Sequence, residues 1–146
     1  AMATSEIIVC PTDFSARSDA ALPWVKRLGS AGTEVHLLYV VEEPHIYASL
    51  DMGPIPIPSI DELTASAGKR LAMFAAEHFA GVGKVVQRVL VGRPAEAIVS
   101  YTRQHGAMLI VMTTHGYSGV RHVLLGSTTE AVLRHASCPV LSIRSI

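Results

Sequence analysis

Five short apolar runs, each separated from the next by a segment with helical signals, constrain the fold of this chain more than any other feature. The runs are IIVCP at 7–11, HLLYVV at 36–41, VVQRVLV at 85–91, AMLIV at 107–111 and PVLSI at 139–143. Continuous rather than alternating runs are typical of strands covered on both faces. Strands that alternate with helices predict a doubly wound, five-stranded parallel α/β sheet with helices on both faces.

Four segments between the runs carry the signals of helices. They are 15–28, 59–79, 94–104 and 127–135. We expect Ser15 to cap the first helix and Pro23 to kink it, because proline removes one backbone hydrogen bond. Ser59 and Glu62 form a capping box at the start of the second helix. Its core face is then set by three- and four-residue spacing of Ile60, Leu63, Ala67, Leu71, Phe74 and His78.

Length and composition exclude several classes of protein. A chain of 146 residues fits a single domain, which we assign to residues 4–146. No apolar run approaches the roughly 20 residues of a membrane span. The 12 basic and 12 acidic residues cancel without clustering, which argues against nucleic acid or an anionic membrane as the target. We find no secretory signal and therefore expect a cytoplasmic protein.

The two cysteines do not indicate a metal or redox site. Cys10 and Cys138 lie at predicted strands, and the chain has no CxxC motif and no Cys/His ligand spacing. We interpret both as buried thiols and predict no metal ligands among the side chains.

A ligand site is expected where two strands end. In open parallel sheets, ligands bind beyond the carboxyl ends of the strands at the point where strand order reverses. The end of the first strand, Pro11 to Asp13, and the end of the fourth, Met112 to Gly116, should meet there. Asp13 would equally suit the positive end of the first helix.

The stretch MTTHGYSGVRHVLLGSTTEAV at 112–132 has two interpretations. Its glycines permit close approach of a phosphate, and the following helix directs its positive end at an anion. Alternatively, Ser127 and Glu130 form a capping box that needs no ligand. Neither a P-loop nor a GxGxxG motif is present, so the residues alone leave both interpretations open.

Several motifs in one order resemble the universal stress protein family from about Glu6 to Arg144. They are IIVCPTDFS, HLLYVVEE, VGRPAEAI and MTTHGYSGVRHVLLGSTTEAVLRHASCPVLSIR. The resemblance implies a Rossmann-like fold of the adenine nucleotide α-hydrolase type, often dimeric. ATP-binding members have glycine, two residues, glycine, nine residues, then glycine and serine or threonine. Here Thr113 replaces the first glycine, whereas Gly116, Gly126 and Ser127 are retained.

The resemblance also implies the positions of the ligand contacts. Around adenine and ribose it places Pro11, Thr12, Asp13 and Val40. By the sugar and the first phosphates it places Met112, Thr113, His115 and Gly116, and by the phosphate chain Gly126, Ser127, Thr128 and Thr129. Arg93 is a weaker candidate. The ligand implied is ATP, with AMP and ADP as alternatives and Mg²⁺ held through the phosphates.

Two functions follow as hypotheses. The first is an ATP-binding stress-response protein in which the nucleotide is a signal or structural ligand; we identify no catalytic residue, although slow hydrolysis is not excluded. The second is a nucleotide-free interaction module that recruits a protein partner, since the β-branched Thr113 resists positive φ and fills space that glycine would leave. Both include a homodimer through the last strand. The proline-rich connection at 42–58 is a lid, a partner surface or disordered.

Overall fold

Strands and helices alternate along the chain as the apolar runs predicted. The computed structural model describes residues 6–16, 18–42, 58–114 and 125–144. The strands are β1 (Glu6–Pro11), β2 (Thr33–Val41), β3 (Lys84–Val91), β4 (Leu109–Thr113) and β5 (Val140–Ile143). The helices are α1 (Leu22–Leu28), α2 (Ile60–His78), α3 (Pro94–His105) and α4 (Ser127–His135).

The five strands form one parallel sheet in the order β3-β2-β1-β4-β5. From β1 the chain proceeds outward to β2 and β3, then returns to the other side of β1 for β4 and β5. The strand order therefore reverses between β1 and β4. The predicted doubly wound, Rossmann-like α/β fold is confirmed, and its switch point lies where the two candidate segments end.

The core has two halves, one on each face of the sheet. Ile8 and Cys10 of β1 pack toward α1 and α2, whereas the intervening Val9 packs toward α3 and α4. All three side chains are at most 1% exposed. Alternate residues of a strand point to opposite faces, so a strand with helices on both sides requires a continuous apolar run, as seen here.

The first helix differs from the prediction. Residues Ser18–Ala21 form a 3₁₀ turn, and α1 begins only at Leu22. Pro23 therefore stands in the first turn of the helix, where its missing N–H has no partner to lose. The Ser15 hydroxyl accepts from the Ser18 amide at 3.2 Å, so Ser15 caps this 3₁₀ turn rather than α1. The predicted kink at Pro23 is wrong, because the proline lies in the first turn of the helix and not in its interior.

The other helix signals operate largely as expected. The Ser59 hydroxyl accepts from the Glu62 amide at 3.1 Å, and the Glu62 carboxylate accepts from the Ser59 amide at 3.4 Å, which confirms the capping box. Gly106 ends α3 with φ of 58°, a conformation that favours glycine. In the described part of the chain, no helix combines the length and apolar character of a membrane span.

Candidate functional site

A cleft of about 740 Å³ lies at the carboxyl edge of the sheet, over the switch point between β1 and β4. Its volume is in the range of pockets that hold small molecules. The cleft brings together ten of the twelve predicted contacts: Pro11, Thr12, Asp13, Val40, Met112, Thr113, Gly126, Ser127, Thr128 and Thr129. The other two, His115 and Gly116, lie outside the described residues, as do positions 43–57 of the long connection.

Thr12 organises the side of the cleft formed by the end of β1. Its amide donates to the Leu38 carbonyl at 2.9 Å, which extends the ladder between β1 and β2 beyond the strand. The Ser18 hydroxyl donates to the Ser15 carbonyl at 2.8 Å. The Thr12 hydroxyl is therefore the donor in its 3.1 Å bond to Ser18. It also accepts from the Phe14 amide at 3.0 Å, so both its proton and one of its lone pairs stabilise the turn.

Asp13 closes the same turn and leaves carboxylate capacity toward the cleft. Its Oδ1 atom accepts from the Ser15 amide at 2.9 Å. Because α1 begins at Leu22, Asp13 does not occupy the first turn of that helix, and the alternative role as a dipole partner for α1 is wrong. The second carboxylate oxygen has no hydrogen bond to any described residue, and a carboxylate accepts several hydrogen bonds.

The opposite side of the cleft is formed where α4 begins, and two hydrogen bonds hold that start against β4. The Gly126 amide donates to the Thr114 carbonyl at 2.6 Å. The Thr129 hydroxyl, on a residue only 3% exposed, donates to the Thr113 carbonyl at 2.8 Å. The first turn of α4 is thereby fixed beside the end of β4, at the switch point.

No side chain of the described residues caps the N-terminus of α4. The N-cap residue is Gly126, and Ser127 is the first helical residue, so the predicted capping box of Ser127 and Glu130 is wrong. Glu130 instead accepts from Arg134 at 2.7 Å on the exposed side of the helix. The first amides of a helix have no partner within it. Among the described residues, nothing occupies the first amides of α4 or the exposed Ser127 hydroxyl, and both lie at the cleft.

Thr113 occupies a position that suits a β-branched residue. It is the last residue of β4, and its side chain lines the cleft. Among the described non-glycine residues only Phe14 has positive φ, so Thr113 has the extended backbone that threonine prefers. Threonine is therefore not strained at this place in the motif.

The comparisons with known proteins agree with this architecture. The model of the universal stress protein family matches residues 4–144. Universal stress protein MJ0577 of Methanocaldococcus jannaschii is 31% identical, over 94% of this chain and 93% of its own.

This chain belongs to the universal stress protein family.

Solved structures of the universal stress protein fold are also similar to this chain. The structure of MJ0577 superposes with a TM-score of 0.80 over 98% of each chain. The Archaeoglobus fulgidus universal stress protein in complex with dAMP has a TM-score of 0.67 at 18% identity, over 94% of this chain and 96% of its own. The Arabidopsis thaliana family protein with AMP bound has a TM-score of 0.63 at 18% identity, over 97% and 92%. At 18% identity, these two structures show only that their fold is similar to that of this chain.

Within this universal stress protein fold, the cleft includes residues that the sequence did not single out. Phe14, Tyr39, Ser66 and Arg70 line it beside the predicted contacts. Arg70 lies on α2 one position before the buried Leu71, at the border of the apolar stripe, where a charged residue is ordinary. Its place in the cleft depends on how α2 packs against the sheet. The spacing of apolar residues along the helix does not predict that packing.

Proposed function

We propose that this protein binds an adenine nucleotide in the cleft, with the phosphates at the start of α4. The observation that carries the proposal is the N-terminus of α4, which Thr129 and Gly126 fix against β4, which no described side chain caps, and which lines the same cleft as Asp13. A helix start with unused amides favours an anion through hydrogen bonds and its dipole. The carboxylate of Asp13 can accept from ribose hydroxyls.

The relatives support an adenine nucleotide over other anions. Two proteins of similar fold are known in complex with dAMP and with AMP. We propose ATP as the ligand, with Mg²⁺ held through its phosphates. The cleft fits the phosphates of ATP because it supplies hydroxyls and helix amides as hydrogen-bond donors. The Mg²⁺ ion would offset the phosphate charge, since the chain has no P-loop lysine to do so.

The nucleotide acts, in this proposal, as a signal or structural ligand in a stress response in the cytoplasm. Phosphoryl transfer requires a positioned base for the attacking group and cations on the terminal phosphate. Among the described residues of the cleft, Asp13 and Glu42 are the carboxylates and Arg70 is the only cation. Arg70 projects from α2, whereas the open amides belong to α4, so this set favours binding over turnover.

A homodimer through β5 completes the proposal. β5 pairs with β4 along one edge, and no described strand pairs with its other edge. Its four residues are half-buried, and an open apolar edge favours pairing with a second copy about a two-fold axis. The mass in dilute solution, measured by light scattering, should equal two chains; a single-chain mass at micromolar concentration would contradict this part.

Thermal unfolding with and without Mg·ATP, after acid extraction of any co-purified nucleotide, tests the binding proposal. Ligand at 100 times its Kd stabilises a protein by about 2.7 kcal/mol. For a domain of this size the midpoint should rise by roughly 5–10 °C. Comparison of ATP, ADP and AMP ranks the nucleotides. Without ligand, the variant Ser127→Ala should unfold at the same temperature as the wild type. With Mg·ATP, its unfolding midpoint should rise by less than that of the wild type.

The absence of any shift at millimolar ATP, with no nucleotide in the extract, would overturn the proposal. A dimeric protein with that behaviour would favour the interaction module instead. Separately, release of phosphate from ATP that depends on Mg²⁺ and disappears in Asp13→Asn would contradict the view that the nucleotide is only a ligand.

A further inference from the structure

Arg70 provides the only positive charge among the described residues that line the cleft. Its guanidinium carbon lies 4.5 Å from the centre of the Phe14 ring, within the range of a cation–π contact. The guanidinium forms no hydrogen bond or ion pair with any other part of the described chain. The described residues therefore leave its five N–H donors and the side of the guanidinium away from Phe14 without a partner.

The ring that supports Arg70 is itself held in place from several sides. Phe14 stacks on Tyr39 with ring centres 4.7 Å apart and an angle of 28°. It meets Phe74 edge-on at 5.8 Å. Its φ of 64° is uncommon for a residue with a side chain, and the Thr12 hydroxyl stabilises it by accepting the Phe14 amide. Tyr39, Phe14 and Arg70 thus form a stacked column, and all three line the cleft.

The column and the start of α4 lie at opposite ends of the cleft. α2, which carries Arg70, packs on β2 and β3, and its side chains join the core on the α1 face of the sheet. α4 is tied to β4 on the other side of β1 and joins the core on the opposite face. A nucleotide whose phosphates contact α4 therefore extends its nucleoside toward β2 and the column.

We propose that Arg70 is a specificity-determining residue that stacks on the purine base of the ligand, with Phe14 as its support. This inference rests on the proposed nucleotide site and specifies its base end. A guanidinium is planar and weakly hydrated, so it stacks on aromatic faces, whereas a lysine ammonium does not. In the column, Tyr39, Phe14 and Arg70 lie in that order. A flat purine stacked on the free face of Arg70 would be the next layer.

Titration calorimetry of AMP and ATP with the wild type, Arg70→Met and Arg70→Lys tests the assignment. Both variants should bind AMP and ATP more weakly by the same factor, about 3- to 30-fold. The factor is shared because both ligands carry the same base. The lysine should not rescue binding, since it restores charge but not the planar group. Lys69→Met is the matched control: it removes one charge from the adjacent exposed position of α2 and should leave both affinities unchanged.

Each alternative result has a distinct meaning. If Arg70→Lys binds like the wild type and the loss in Arg70→Met is larger for ATP than for AMP, Arg70 contacts phosphate and the base assignment is wrong. If the wild type binds both nucleotides and neither variant differs from it, Arg70 is a surface residue and only this inference fails. If the wild type binds neither nucleotide, the proposed function fails and this inference with it. Unfolding midpoints of the variants within a few degrees of the wild type exclude loss of fold.

Discussion

The hydrogen bond from Thr129 to the Thr113 carbonyl is expected to stabilise the fold as well as the site, and Thr129→Val tests this. The hydroxyl donates at 2.8 Å from a residue that is 3% exposed, so water cannot replace it. Valine has nearly the same shape and removes only the donor. A buried hydrogen bond contributes about 1 kcal/mol net, and in a domain of this size the midpoint should fall by about 2–4 °C.

Urea denaturation at fixed temperature gives the free energy of unfolding for the comparison. The matched control is Thr128→Val, since Thr128 is half-buried and its hydroxyl has no hydrogen bond to any described residue. We expect that variant to lie within about 0.5 kcal/mol of the wild type, while it loses part of the stabilisation by Mg·ATP. Equal losses in the two variants, or an unchanged Thr129→Val, would refute the view that this bond ties α4 to β4.

Three further predictions concern other parts of the fold. The Nε2 atom of buried His36 donates to the Glu34 carboxylate at 3.0 Å, and in the tautomer that carries this proton the Nδ1 atom accepts from the Tyr101 hydroxyl at 2.6 Å. Tyr101→Phe leaves that nitrogen without a donor and should cost about 1–3 kcal/mol in urea denaturation; a loss under about 0.5 kcal/mol would contradict this. The hydrogen bond from His36 and a nearby lysine hold the pKa of Glu34 below its ordinary value of 4.5. Its ionised form therefore stabilises the fold above that value, and the contribution is lost as pH falls through the lowered pKa. Glu34→Gln should be less stable than the wild type at neutral pH, with a difference that shrinks as the pH falls below 4.5; a constant difference would argue against the linkage. Finally, burial raises the pKa of Cys10 to about 12, whereas Cys138 is half-buried. Maleimide should label only Cys138 in the native protein, and Cys138→Ser should abolish labelling.

Much of the fold could be predicted because the burial of a strand or helix sets the pattern of apolar residues within that segment. A strand covered on both faces needs an uninterrupted apolar run, and all five runs became strands with bounds shifted by a few residues. The largest shift is in β2, which begins three residues before the predicted start, at Thr33. The added residues include Thr33 and Glu34, whose polar side chains kept this part of the strand out of the apolar run, although Thr33 is buried.

The errors in helix starts have a common physical reason. Pro23 and Ser127 both carry signals that suit more than one position of a helix. Proline is unfavourable in the interior and favourable in the first turn, and serine suits both the N-cap and the first turn. Which position applies depends on where neighbouring strands end, and that is set by tertiary packing.

The candidate site was predictable in part. Sequence order and family motifs named ten residues that the fold brings into one cleft, because the carboxyl ends of parallel strands share one edge of the sheet. Arg70 and Phe14 were missed. They are far apart in the sequence, and no spacing rule connects an exposed helix residue to a turn after another strand.

The sequence by itself therefore determined the alternation of elements, the parallel sheet and the edge of the sheet at which the cleft lies, since each depends on local burial patterns and chain order. The tertiary structure alone decided that Thr129 anchors α4 to β4, that the cap of α4 stays open, and that Arg70 lies on Phe14. Those contacts join segments whose proximity depends on how the helices pack across the faces of the sheet. The periodicity of the sequence does not predict such packing.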